Sequence, residues 1–366
     1  MVTTSDIDYD SRILNEAESL AQKYDVTILC RKYPHESFLR PQKFIIKRID
    51  YRKLSIYKLN IFSSLFSLIK AAFKENTDIY HAHDLDGLLC AFPAALLRRK
   101  ILVYDSHELW SEIYPFSNLG ALRWLFKPLE KALISKVKAG ITVNHAIADF
   151  LTKKYHKLFI AVYNYPSRTK QSKAPFSFKK RFPNKKIILQ LGIVDEGRGL
   201  EQMVEAIKFL PKNYVVIFLG QGKLEHQIRK KTKELNLENQ IYVLPRVSPE
   251  SVVDTIRQAD LGLALTQQIS LSYYYSSPNK LFQYIAAEVP ILGSNFPEYK
   301  KIILKNGIGE VVDPSKPKLI AQTITQMLKK ENQKKYRKNL TELAKARYNW
   351  SRESKKLVKF YQNLID

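Results

Sequence analysis

Four short stretches carry side chains able to do chemistry. The first is Ser277-Pro278-Asn279-Lys280, with Gln283 one turn on. Ser277 is a good helix cap and Pro278 suits the first helical position, where no backbone donor is needed. Leu281, Phe282, Ile285 and Ala286 give the predicted helix an apolar face, with Lys280 and Gln283 on another. Free amides, the positive dipole end and Lys280 in the first turn make an anion site. The same pattern also describes a capped amphipathic helix with a solvated lysine. The second stretch runs from Gly192 through Arg198 to Gly199, a Gly-rich turn between a strand and a helix. That is a phosphate-binding arrangement, and an arginine fork grips two phosphate oxygens at once. The third and fourth are strand tips: His81-Ala82-His83-Asp84 and Asp105-Ser106-His107-Glu108. His81, His83 and Asp84 raise the question of a metal, but adjacent strand positions face opposite ways and no further ligand cluster follows in sequence. The expectation is no metal.

The elements that position these tips alternate. Strands are predicted at Val26–Cys30, Phe44–Ile46, Asp78–Asp84, Ile101–Tyr104, 140–143 and 160–163, with helices from Leu14 to Ala21, at Leu85–Leu97, 119–138 and 145–155. Met1–Thr4 reads as the last part of a strand whose beginning is missing, and Ser5–Arg12 as the loop after it. Strand, polar tip and helix in repetition predict a doubly wound parallel α/β sheet, whose ligands bind beyond the carboxyl ends of its strands. The rhythm resumes at Ile187, with strands at Tyr214–Leu219, Ile241–Leu244 and Leu261–Ala264. A capped helix start is predicted at Val247–Glu250, and helices at 316–329, 331–346 and 351–364, the last capped by Ser351. The predicted organisation is a first domain over 1–166, a basic linker over 167–186, a second domain over 187–348 and a final helix over 349–366.

The formal net charge of +25 fits an anionic partner: nucleic acid, anionic lipid or phosphorylated substrates. The absence of helix-turn-helix, zinc-knuckle and aromatic ribonucleoprotein patterns argues against nucleic acid. Residues 54–73 mix apolar side chains with flanking Arg52, Lys53, Lys58, Lys70 and Lys74. As a helix this stretch suits either the core or an anionic membrane surface. Cys30 and Cys90 lie in apolar stretches and read as buried thiols in a reducing cytoplasm. No signal peptide or transmembrane-length apolar run is visible.

The Ser-Pro-Asn-Lys-Leu-Phe segment, followed by Tyr284, Ala286-Ala287 and Pro290-Ile291, resembles the donor-binding segment of the family 4 glycosyltransferases. The Asp10-Ser11-Arg12 loop, the Asp-Ser-His-Glu tip, the Gly192–Gly199 turn and the Trp350-Ser351 start of the last helix extend the likeness over nearly the whole chain. The resemblance implies a GT-B fold, two doubly wound Rossmann-like domains facing across a cleft. It implies a retaining sugar transfer from a nucleotide-diphosphate donor to an acceptor hydroxyl, in cell-surface polysaccharide or lipid-linked glycan synthesis. It requires no metal or other cofactor. The charge of +25 and the basic-apolar stretch 51–74, apart from the resemblance, predict peripheral binding at the inner face of the cytoplasmic membrane. The resemblance makes His107 and Glu108 the catalytic tip, and Gly192, Arg198, Asn279, Lys280 and Gln283 the donor site. His83 and Asp84 fall on the acceptor side. The family's two motif glutamates are replaced by Tyr275 and Gln283, its first loop cation by Ile193, and the glycine after the two alanines by Glu288. Those losses leave a second class open, a catalytically degenerate scaffold subunit of the same fold.

Overall fold

Both stretches of strand-helix rhythm close into all-parallel sheets. The computed structural model describes residues 1–35, 37, 42–53, 60–112, 120–166, 173–346 and 348–365. The chain forms two compact units, one of Met1–Asn164 with Trp350–Asp366, the other of Tyr165–Asn349.

The first unit holds β1 (Val2–Thr3), β2 (Thr27–Arg31), β3 (Ile45–Ile49), β4 (Ile79–His83), β5 (Ile101–Ser106), β6 (Ala139–Thr142) and β7 (Phe159–Ala161). Their order is β3-β2-β1-β4-β5-β6-β7. The strand order reverses between β1 and β4, the switch point beyond which such sheets bind ligands. The expected loop over Ser5–Arg12 ends early: a helix begins at Ser11, and the Asp10 side chain accepts from the Ile13 amide. Arg12 is thus fixed in a first helical turn. The last helix, Trp350–Ile365, also starts one residue before its predicted serine cap, and it packs within this unit. The Trp350 indole donates to Ser19 Oγ (2.8 Å) and Glu353 accepts from the Tyr163 amide (3.0 Å). Leu357, Phe360 and Tyr361 join Val103, Ile141 and Val162 in one apolar cluster. Cys30 and Cys90 are buried free thiols.

The stretch expected as a helix over 54–73 is one over Asn60–Lys74, with 54–59 outside the described residues. Its buried face is Asn60, Ser64, Leu68 and Ala72, whereas Ile61, Phe62 and Phe66 are exposed. Leu68 feeds the core, and these three large apolar side chains do not.

The second unit holds β8 (Lys186–Leu191), β9 (Tyr214–Leu219), β10 (Ile241–Leu244), β11 (Leu261–Ala264), β12 (Ile291–Ser294) and β13 (Gly309–Val312), in the order β10-β9-β8-β11-β12-β13. The basic stretch expected to be a linker is, in its described part, built into this unit. Phe178 is fully buried, and Gln258 accepts from its amide and donates to the Phe176 carbonyl. Composition misled there because the lysines point outward while two phenylalanines anchor. The helix predicted at Val247–Glu250 begins instead at Val252.

The helix after Ser277 runs over Asn279–Ala286. Pro278 takes the cap position and no side chain caps the helix, so the predicted boundary moves by one residue. Tyr284 pins this helix under the sheet. Its buried hydroxyl donates to the carbonyls of Leu189 (2.8 Å) and Leu263 (3.1 Å) and accepts from the Leu191 amide (3.0 Å). Phe282 packs edge-on against Tyr165, with ring centroids 4.7 Å apart. Glu288 ends the helix in the left-handed region, at φ 58°. Glycine would suit that position, but here the Glu288 carboxylate accepts from Thr341 and its carbonyl from Arg337.

Candidate functional site

Each unit carries a charged centre at the carboxyl ends of its strands, and the two are built on opposite electrostatic plans. In the second unit the centre is cationic. Lys280 does not point to solvent, as the amphipathic-helix reading allows; it is only 8% exposed. Its Nζ donates to Gln190 Oε1 (2.8 Å), while Gln190 Nε2 donates to the Leu263 carbonyl (2.8 Å). A Cβ placed on Gly192 would lie 3.9 Å from Lys280 Nζ, so the ammonium sits against the open backbone at the end of β8. Burial, with the Arg198 charge beside it, pushes the ammonium down to about 7. A cation in low dielectric with a second cation nearby favours the neutral form until an anion arrives.

Arg198 is held in place from below. Its guanidinium lies 4.7 Å from the centroid of the Tyr273 ring, on the helix Leu271–Tyr275. Gly197 and Gly199 both adopt left-handed backbone. A Cβ on Gly197 would meet Ile269 and Tyr273, and one on Gly199 the Leu265 carbonyl at 2.3 Å. Glycines at these two positions let the turn approach β11 closely. The Arg198 charge thus bears on Lys280, which lies in the first turn of the helix Asn279–Ala286. Asn279 is exposed and Gln283 half-buried, one turn apart on that helix. Tyr275, in place of the first motif glutamate, is half-buried against Tyr274.

In the first unit the charges are paired. Asp105, at the end of β5, is fully buried and central. Arg12 grips it with two bonds, Nε to Oδ2 (3.0 Å) and Nη2 to Oδ1 (2.8 Å). His83 Nδ1 and His107 Nε2 each lie 3.3 Å from Asp105 Oδ2. His107 is enclosed from the other side by Asp84: Nδ1 lies 3.3 Å from Oδ2, and the His107 amide donates to Oδ1 (2.9 Å). Asp84 holds this position with φ 58°, a backbone conformation that costs a non-glycine residue about 1–2 kcal/mol. Burial alone would lower the His107 imidazolium, but the Asp84 and Asp105 carboxylates outweigh it and raise it to about 10. His83 is driven the other way, down to about 4, chiefly by burial. Glu108 contributes its carbonyl, which accepts from Ser106 Oγ (2.6 Å).

The sequence reading of a lone His-x-His is corrected here. Glu16 and Asp105 converge with His81 and His83, all buried, with one donor atom from each within 4.8 Å of the others. Glu16, Arg12 and Asp105 were not legible as one group because they are remote in sequence. The signal available was the Arg12–Glu16 spacing beside the apolar stripe, and the cost of a buried carboxylate that must find a partner. The set has the ligand types of a metal site, but Arg12 lies within 3.1 Å of both acids. Burial also raises the Glu16 carboxyl well above its usual range, against the pull of Arg12. Arg12 pairs with Asp105, and His107 faces Asp84, whose own carboxyl burial raises to about 7.

At pH 8, ¹⁵N NMR should show His107 with both ring nitrogens protonated. Asp105→Asn should return it toward the neutral form and cost about 3–5 kcal/mol, because Arg12 loses a buried counter-ion. Asp84→Asn, at the more exposed carboxylate, serves should the first variant not fold. Because the folded value is raised, the stability His107 contributes is present below about 6.5 and is lost as pH rises through about 10. A neutral His107 in the unmodified protein at pH 8 would contradict this assignment.

The comparisons with known proteins agree with this architecture. Residues 172–347 match the family Glycosyl transferases group 1, and residues 11–162 match Glycosyltransferase Family 4. No curated protein matches the chain in sequence. Among solved structures, Anabaena Alr3699/HepE in complex with UDP and glucose superposes with a TM-score of 0.79 at 12% identity, over 99% of this chain and 98% of that one. Sucrose-phosphate synthase from Thermosynechococcus elongatus gives 0.78 at 14% identity, over 100% and 98%. WaaG, a glycosyltransferase involved in lipopolysaccharide biosynthesis, gives 0.63 at 15% identity, over 95% of each chain. With two parallel sheets of the GT-B type and family matches that together span both units, the chain belongs to the group 1 glycosyltransferases, family 4-like, and is a glycosyltransferase.

Proposed function

We propose that this enzyme moves a sugar, with retention, from a nucleotide-diphosphate donor to an acceptor hydroxyl in cell-surface polysaccharide or lipid-linked glycan assembly. The observation that carries the reading is Lys280: a buried ammonium, next to Arg198 and at a helix N-terminus, with no acid among the charges that shift it. Its natural counter-ion is a ligand diphosphate. Arg198, Lys280 and the amides at the start of Asn279–Ala286 stabilise the charge on the leaving diphosphate, so no metal is needed for that purpose. The bond from the anomeric carbon to the phosphate oxygen breaks, the acceptor oxygen bonds on the same face, and the acceptor proton passes to the departing phosphate. His107 and Asp84, with His83 behind them, serve the acceptor side from the first unit. Gln283 takes the ribose through a neutral hydrogen bond, and Tyr275 stands where an acid would face the sugar. The HepE complex with UDP and glucose supports a uridine nucleotide.

Calorimetric titration with UDP-glucose and free UDP tests this. Lys280→Ala should weaken binding about ten- to a hundredfold, since a charge-assisted contact to phosphate is lost. Gln283→Ala should cost only about two- to tenfold. If Lys280→Ala binds as well as the unmodified protein, the donor site lies elsewhere. A second reading, a degenerate scaffold subunit, is favoured by the loss of both motif acids at Tyr275 and Gln283. It would be supported if the unmodified chain binds no nucleotide sugar and Gln283→Glu restores binding.

Peripheral attachment to the anionic inner face of the cytoplasmic membrane belongs to the same proposal. No helix among the described residues is long and apolar enough to cross a membrane. The helix Asn60–Lys74 instead exposes Ile61, Phe62 and Phe66, with Lys70 Nζ 4.4 Å from the Phe66 ring centroid. Each Lys or Arg near an anionic surface contributes about 1 kcal/mol, screened by salt. Co-sedimentation with anionic vesicles should be strong at low salt and fall with salt, and Phe62→Ser with Phe66→Ser should weaken it further. Absence of binding at low salt, or no effect of the double variant, would refute the attachment.

A further inference from the structure

The carboxyl edge of the first sheet carries a second cation with no counter-ion among the described residues. Arg31 is the last residue of β2. Its guanidinium lies over two tyrosine rings, 5.2 Å from the Tyr33 centroid and 4.6 Å from that of Tyr51. Nη2 donates to Tyr51 Oη (2.7 Å), and Tyr33 is tied to β1's exit loop by a bond from its hydroxyl to the Thr4 carbonyl (3.0 Å). Arg31 Nε is buried and has no hydrogen-bond partner. Its basic neighbours differ: Lys32 pairs with Asp50 and Arg48 with Asp8, both at 3.1 Å. Arg31 forms no ion pair among the described residues. A guanidinium stacked on aromatic rings has its fork fixed in advance, which favours two-point contact with an oxyanion.

The position of Arg31 says what such an anion would belong to. Val2 pairs with both Leu29 and Ala82, so Arg31 and Asp84 stand at the same level of the sheet. One strand, β1, separates β2 from β4. Two strand spacings make roughly 10 Å, about the span of one sugar ring with its phosphate. We infer that Arg31, clamped by Tyr33 and Tyr51, is an anion subsite for a phosphorylated acceptor whose reactive hydroxyl reaches Asp84 and His107. The inference rests on the first unit being the acceptor side. The phosphate can come from a soluble sugar phosphate or from a lipid headgroup, and the same guanidinium chemistry recognises both.

The test uses the whole chain with saturating UDP present, so that the cations of the second unit are occupied. Glycerol 3-phosphate and phosphatidic acid vesicles are the two probes. Arg31→Ala should weaken binding of the probe that is recognised by about ten- to a hundredfold, and Tyr51→Phe by only a few fold. Lys32→Ala, which removes the same charge next door, should change it less than about twofold. Binding of glycerol 3-phosphate with this pattern supports the subsite and assigns a soluble acceptor; binding of the vesicles alone with this pattern supports it and assigns a lipid. Equal losses in Arg31→Ala and Lys32→Ala would reduce the effect to general charge and overturn the subsite, as would failure of the UDP-loaded protein to bind either probe. UDP affinity should be the same in all three variants. If the unmodified chain binds no UDP, the donor reading fails while the Arg31 comparison, run without UDP, still stands on its own.

Discussion

The ammonium of Lys280 is the constraint on which the second unit's site depends. A buried cation is costly, and proteins normally answer it with a carboxylate. Here the fold answers it with the Gln190 carbonyl oxygen and otherwise leaves the charge to an incoming ligand. The arrangement is held by apolar and polar anchors together: Phe282 against Tyr165, and the Tyr284 hydroxyl bonded to β8 and β11. A depressed lysine weakens folding as pH falls from its unfolded value of 10.5, and the cost levels off near pH 7. A diphosphate bound beside the ammonium, as proposed, would relieve that cost.

The first unit solves the same problem in the opposite way. Asp105 collects Arg12, His83 and His107 around one buried carboxylate, and Asp84 encloses His107 from outside. The result is a rigid tip in which His107 is a cation rather than a free base. Such a residue stabilises negative charge and orients a hydroxyl. It does not readily take a proton, which fits a reaction in which the departing phosphate acts as base. The last helix helps to seal this centre, with the Tyr361 hydroxyl 2.7 Å from His81 Nδ1.

The parts of this architecture that repeat locally were legible from sequence. Alternating strands and helices announced two parallel sheets, and Gly192, Arg198 and Lys280 could be named because short spacing along the chain brings a glycine turn or a helix start to its cation. The convergence of Arg12, Glu16, His81 and Asp105 was not legible, since partners up to 93 residues apart meet only through sheet order. Boundaries slipped where side chains and backbone disagree: Ser277 has the chemistry of a cap, yet Pro278 holds the position. Glu288 stands where the family has a glycine, and its left-handed helix end is held by Thr341 and Arg337. The basic run before β8 reads as a linker by charge alone, whereas burial of Phe178 decides where it packs.

The central claim is that Lys280 is neutral or half-charged when the site is empty and fully charged when a diphosphate is bound. Titration calorimetry of UDP at pH 8, in buffers of different ionisation enthalpy, measures this directly. UDP is fully ionised at that pH, since a phosphate's second pKa is about 6, so proton uptake reports the protein. The account predicts uptake of nearly one proton per UDP bound, absent in Lys280→Gln. Tight UDP binding with no proton uptake at pH 8 would contradict it.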